Sequence, residues 1–451
     1  MTTRNNTSKV IRLRSLLFFA FSCLLVAHSV HSGRVLEANP ANYRQLLSQL
    51  VPGDTLQLRA GEYRQGLPVH HLNGRPGKPI LITGPRRGKR AVLPGRPGSN
   101  TVSILDSSHV TIRNLVLDGQ GLPVDAVKAE GHADWAHHIT LENLLIRGHG
   151  NNQQTVGIST KCPTWGWVIR DNEIIGAGTG IYLGDSEGSA PFIAGLIEHN
   201  LVVDTLGYNL QIKHQKSRPD IEGIPVGENV TIIRHNVFSK AKGGSEAPMT
   251  RPNVLVGHWP LSGPGADDRY LIYGNFFYQN PLEALFQGEG NIALYNNLFV
   301  NFLGVAIHIQ PHNDVPREID VFYNTIIASG TGVAIRHREG ESNPEQQTVQ
   351  ANVVFSETQI SGGEARENIT GPLVAAADYL ENPYGSLGEM SLCPKAGAPR
   401  LDSIDTEPWQ DFVEWNMDFD GRLRVRCPHG ACCGKGGWLP QLQRKPHRVK
   451  D

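Results

Sequence analysis

The stretch GYNLQIKHQKSRP, Gly207 to Pro219, places Lys213 at the end of an alternating Leu210-Gln211-Ile212 pattern. Alternation of period two marks a strand with one face buried. Gln211 and Lys213 then face outward, with His214, Lys216 and Arg218 crowded behind them. A lysine among like charges gives up its proton more readily. Such a base could take the weakly acidic C5 proton of a uronate, provided Arg, Lys or a metal neutralises the adjacent carboxylate. A His or Tyr would then protonate the leaving oxygen. The residues assign Lys213 as base, His258 as proton donor or carboxylate partner, and Arg218 or Arg251 as charge neutraliser.

What must position these groups is a repeat. HVTIRNLVLDG, HITLENLLIRG, WGWVIRDNEIIG and six later phrases each set a short strand, an asparagine and a second short strand. The asparagines are Asn114, Asn143, Asn172, Asn200, Asn236, Asn275, Asn297, Asn324 and Asn352. A recurring unit of this length is one coil of a parallel solenoid, longer coils carrying loops on one face. Asparagine at the bend tolerates left-handed backbone and can bond the asparagine above it in a ladder, so all nine are assigned to structure. The two longest intervals, Asn200 to Asn236 and Asn236 to Asn275, contain HQKSRPDIEGIPVGE and GGSEAPMTRPNVLVGHWPLSGPGADD. Long loops in a compact fold are usually functional, and these two fall on adjacent coils.

Setting GISTK, GIYLGD, NLQIKHQ, NVLVGHW, ALFQGEG, AIHIQPH and VAIRHRE in register gives an outward column. It comprises Tyr182, Gln211, Lys213, His258, Gln287, Glu289, His308, Gln310, His312, Arg336 and Arg338, with His214 and Trp259 beside it. Stacking and bidentate contacts from such residues suit several sugar units carrying carboxylate or sulfate. A rise of about 4.8 Å per coil suits an extended polymer.

The expected fold is therefore all-β, a right-handed parallel β-helix over 33–375. NYRQLLSQL supplies a capping helix, and 376–451 an irregular, Cys-containing segment over the last coil with a mobile basic tail. Residues 1–32 read as an export signal: Arg4, Lys9, Arg12 and Arg14, the apolar run LLFFAFSCLLVA, then Val30-His31-Ser32 before Gly33. No later segment is long and apolar enough to span a membrane. A secreted or periplasmic monomer follows. Net charge is -1, which gives no global field for polyanions such as nucleic acid; anion recognition must be local. Disulfides are permitted among Cys162, Cys393, Cys427, Cys432 and Cys433, with pairing open.

Rival chemistries remain. A C5-epimerase shares the same proton abstraction, and a glycan-binding β-helix needs none. Glycoside hydrolysis needs a pair of carboxylates; GHG occurs at Gly148 to Gly150 and QIK at Gln211 to Lys213, but the acidic residues are scattered.

YRQLLSQLVPGDTLQLRAGEYRQGLPVHHLNGRPGKPILITG resembles the opening of the chondroitinase B and alginate lyase-type polysaccharide lyases, pectin lyase-like β-helices. DFDGR near the end is similar to their closing segment. The resemblance implies β-elimination on an acidic, uronate-containing polysaccharide, with a lysine base on an I-x-x-K-type strand matched by Lys213. It also implies an arginine a coil later, before GNFF at Gly274 to Phe277. Gly257-His258-Trp259 stands at that place, leaving His258 or Arg251 to substitute. The acidic calcium ligands that the resemblance implies upstream of the lysine have no match, Tyr208, Asn209 and Gln211 standing there; no cofactor is expected, with calcium left open.

Overall fold

The computed structural model describes residues 33–340, 345–399, 404–424, 429–432 and 437–447. The expected export signal, Cys427 and Cys433 lie outside them. The chain winds as a right-handed parallel β-helix, each strand pairing in parallel with its counterpart one coil on. The cause is visible in single columns of side chains. Leu56, Ile82, Ile112, Leu141, Ile169, Ile197, Ile233, Ile272, Leu294, Val321 and Val349 are register partners on eleven successive levels. All are fully buried. A second column runs from Leu117 through Ile146, Ile174, Val202, Phe238, Phe277, Phe299 and Ile326 to Val354. Each such side chain contributes about 1.5–3 kcal/mol by leaving water. Slipping one residue would turn every one of them outward.

The asparagine corner behaves as a ladder. Asn172, Asn200, Asn236, Asn275, Asn297 and Asn324 each donate their side-chain amide to the next rung's Oδ1 at 2.9–3.0 Å, and Asn352 donates to Asn368 at 3.0 Å. Asn368 is a rung the repeat did not announce. The left-handed bend itself falls on the ladder asparagine only at Asn114 and Asn143. From the third rung it falls on the preceding residue: Asp171, His199, His235, Gly274, Asn296, Tyr323 and Ala351. There the asparagine seals the corner while its neighbour turns it.

The cap forms as expected. The helix Tyr43–Leu47 buries Tyr43 and Leu47 on the first coil, with Tyr63 edge-on to Tyr43 at 4.9 Å. The last parallel rung is Ile369–Gly371, after which Leu380–Asn382 and Ser391–Pro394 pair antiparallel. Cys393 bonds Cys432, and Cys162 is a buried free thiol. The C-terminal segment does more than cover the last coil. It tracks back along the bend residues: Gly430 N–H bonds Ala351, Arg424 bonds Asn296, Lys445 Nζ bonds Gly274, and Arg444 bonds Asp171. The expected mobile tail is thus docked from Arg444 to His447. Lys445 is buried and lies over the Phe419 ring at 3.5 Å.

Candidate functional site

The strands Val127–Ala129, Val156–Thr160, Thr179–Leu183, Leu210–Ile212, Val254–Val256, Phe286–Gly288, Ile307–Ile309 and Thr325–Ile335 make one parallel face. Its central outward row reads Lys128, Ser159, Tyr182, Gln211, Leu255, Gln287, His308 and Ala334. Backbone bonds extend the ladder by one residue: Lys213 N to Leu183 O, Gly257 N to Ile212 O, Glu289 N to Val256 O, Gln310 N to Gly288 O and Arg336 N to Ile309 O. The next row is therefore Lys161, Gly184, Lys213, Gly257, Glu289, Gln310 and Arg336. The expected register holds, including the ALFQGEG coil. It fails at NVLVGHW, where Leu255 and Gly257 occupy the two rows and His258 comes one step late. A side chain at 257 would collide with the His214 backbone, which is why glycine stands where the resemblance calls for arginine.

A groove of about 500 Å³ lies over this face, within the range of ligand sites. Lys128, Lys161, Lys213, Arg251, Asp125, Glu283, Tyr182, Tyr208, Gln211, Gln287 and His312 line it. The long insertion delivers Arg251 to its rim. Buried Lys240 donates to Arg251 O at 2.8 Å, Asn280 donates to the same oxygen at 2.9 Å, and Gln153 pins Met249 O at 2.7 Å. The Arg251 guanidinium donates to Thr250 O at 2.6 Å and stands 5.8 Å from the Tyr208 ring. Lys161 Nζ sits 3.4 Å above the Tyr182 ring and 3.4 Å from Gly184 O.

The Lys213 ammonium forms no hydrogen bond or ion pair among the described residues. Burial lowers its pKa, while the carboxylates of Glu289, Asp185 and Glu187 oppose the shift. This corrects the expected cause: desolvation, not like charge, depresses the base. Lys161 is drawn down further, to about 8, by burial and then by Lys128. Burial raises Tyr182 and Tyr208, keeping both phenols protonated. It also raises Asp125, which accepts the Val156 N–H at 2.8 Å and lies 3.6 Å from Lys128.

Several expected site residues do other work. Arg218 is buried in an ion pair with Asp268 and donates to Pro225 O at 2.5 Å, closing the insertion rather than neutralising a substrate. Trp259 is 1% exposed and stacks on Tyr270 at 4.2 Å in the core. Glu289 is 1% exposed and accepts the N–H groups of His312, Asn313 and Asp314, each at 2.9 Å, so it holds a turn. His258 is buried, its Nδ1 donating to Trp259 O at 2.7 Å, with the His214 ring 5.4 Å away. His308 and Gln310 are half-buried and Arg336 exposed along the continuing face. Burial, then Arg336, pulls His308 to about 4. His149 of the GHG triplet is wholly buried and donates to Val124 O.

Lys128, Lys161 and Tyr208 were missed. Lys161 was legible as the last residue of GISTK, in register with Lys213; Lys128 alternates with Val127 and Ala129 one coil earlier. The groove residues do not fit calcium. Asp125 is bonded to backbone beside a lysine, and Glu283, several coils away, accepts from Gln287 at 3.3 Å. Among the described residues no helix is long and apolar enough to cross a membrane.

No protein-family model matches the sequence, and no curated protein matches it. Among solved structures, the chain is similar to the A-module of a mannuronan C-5 epimerase from Azotobacter vinelandii, at 16% identity and TM-score 0.48 over 71% of this chain and 91% of that one. It is similar to a lacto-N-biosidase from Eubacterium ramulus, at 11% and 0.46 over 75% and 68%. It is also similar to a pectate lyase, at 11% and 0.42 over 90% and 91%. At these identities and scores the likeness speaks to neither substrate nor reaction.

Proposed function

We propose that the groove binds an acidic, uronate-containing polysaccharide and cleaves it by β-elimination. One observation carries this reading: Lys213, unpaired and desolvated, stands in a groove with three further cations, Lys128, Lys161 and Arg251. Four cations against two lining carboxylates, Asp125 and Glu283, favour a polyanion. The rows repeat coil by coil, as a polymer's sugar units do along an extended strand. In the reaction Lys213 takes the C5 proton, and Arg251 and Lys161 hold the carboxylate on which negative charge builds. The C4–O4 bond breaks as the C4–C5 double bond forms, and Tyr208, still protonated, supplies the proton to the departing oxygen. Tyr182, Gln211, Gln287 and His312 line subsites, with His308, Gln310 and Arg336 along the same face.

Incubation with alginate, pectate, dermatan and heparan, monitored at the absorbance of the unsaturated uronate, tests this. A rise with one polymer establishes elimination and its substrate class. An inverted uronate without unsaturated ends would instead make the enzyme an epimerase using the same lysine. Saturable binding with neither product would leave a glycan-binding protein.

A further inference from the structure

On the other sheet, around the turn 130–135, three imidazoles converge. His109 lies in the strand Ser107–Arg113, and His137 and His138 in Ala136–Glu142 one coil on. Adjacent residues of a strand ordinarily face opposite sides. Here His138 adopts φ 52° and turns its ring to the side of His137, their Nδ1 atoms 2.8 Å apart. His109 adopts φ 50° and stacks on His138 at 4.5 Å. The corner is general, since Gly166 and Ala194 take the same conformation on the following coils; along it, histidines stand on the two successive rungs of 109 and 138. The next rung leaves room for them, because a side chain at Gly166 would meet the His138 ring.

We propose that His109, His137 and His138 bind one divalent transition-metal ion of the zinc class. One ligand nitrogen from each lies within 4.8 Å of the others. Two nitrogens about 2.1 Å from a tetrahedral ion stand about 3.4 Å apart, so rotations of the half-buried and exposed rings close the set. An all-imidazole donor set suits zinc, nickel or copper and not calcium or magnesium. Three protein ligands leave a fourth position open to water at the exposed His138 side. Trp165 stacks on His137 at 4.4 Å and Trp135 lies 4.8 Å from it, fixing that ring from behind.

The test titrates Zn²⁺ into the metal-stripped whole protein against a chromophoric chelator, beside His137→Gln, His138→Asn and His447→Gln. Asparagine keeps the left-handed bend at 138 accessible, and circular dichroism checks the fold of each variant. Losing even an outer-shell partner of a ligand typically costs 10–100-fold in affinity. One tight equivalent is therefore expected in the wild type and in His447→Gln, weakened at least about tenfold in both His137→Gln and His138→Asn. Co²⁺ should show intense visible bands in the wild type that both variants lose. Absence of a tight equivalent, or equal affinity in all four proteins, overturns the site.

Discussion

At the asparagine corner each amide from Asn172 to Asn352 spends its hydrogens on the next rung and on a neighbouring carbonyl, and the C-terminal segment closes over the bends. On the groove face, polar side chains stand at the same coil intervals, yet the Lys213 ammonium has no partner among the described residues and four cations share one open cavity. The same repeat builds both. Where a polar group is satisfied by its own copy one coil away, the column is architecture. Where the copies differ from coil to coil (Lys128, Tyr182, Gln211, Leu255, Gln287, His308), no internal ladder can form, and the groups remain available to a ligand.

The largest effect expected from this contrast is on turnover. Lys213→Ala should fold as the wild type and lose about 10²–10⁴ in elimination rate, the usual worth of a positioned base. Wild-type turnover in that variant would remove Lys213 from the reaction. Because burial lowers the Lys213 pKa, the wild-type rate should rise with pH through a value below the ordinary lysine range.

The corner should answer in stability instead. Asn236→Ala takes the acceptor from the Asn200 backbone and side-chain amides and the donor from Ile197 O and Asn275. Leaving buried amides unpaired costs about 1–3 kcal/mol each, so a loss of about 2–4 kcal/mol is expected in urea unfolding, with kcat unchanged. A variant of near wild-type stability would mean that the ladder is dispensable.

The coiled repeat, the ladder and the outward column were legible because strand alternation and asparagine spacing are local signals, repeated many times over. What escaped reading depended on single backbone facts. Gly257 displaces His258 by one position because the His214 backbone crosses where a side chain would stand. Arg218 looks like part of a cationic patch until Asp268, fifty residues later, folds against it. Glu289 occupies the row of Lys213, yet three backbone N–H groups of the next coil's turn claim it. Alternation says which side a residue leaves from, not what reaches it afterwards.

Glu289 sharpens the contrast at intermediate cost, since it belongs to the groove row by register and to the architecture by bonding. Glu289→Gln retains one acceptor oxygen but loses the charge. About 1–2 kcal/mol is expected, seen as faster amide exchange at 312–314, with His312 displaced and KM raised more than kcat falls. A fall in kcat alone would return Glu289 to the chemistry.

The smallest effect tests whether the groove's cations are held at a cost to folding. Lys161 is drawn from 10.5 to about 8 by burial and Lys128. Below pH 8 both folded and unfolded chains carry the charge, and the folded protein bears its desolvation. Between about pH 8 and 10.5 the folded lysine is neutral while the unfolded one still holds its proton. The unfolded state then binds more protons, and stability rises with pH. Other groups titrate in this window, so the informative quantity is the difference between wild type and Lys161→Met, in which the apolar chain still covers the Tyr182 ring. The wild type should gain on the variant from pH 8 to 10.5 and run parallel to it below pH 7. A constant difference across the whole range would mean that the Tyr182 face compensates the ammonium fully, and that Lys161, like the asparagines, is satisfied within the fold rather than kept for a ligand.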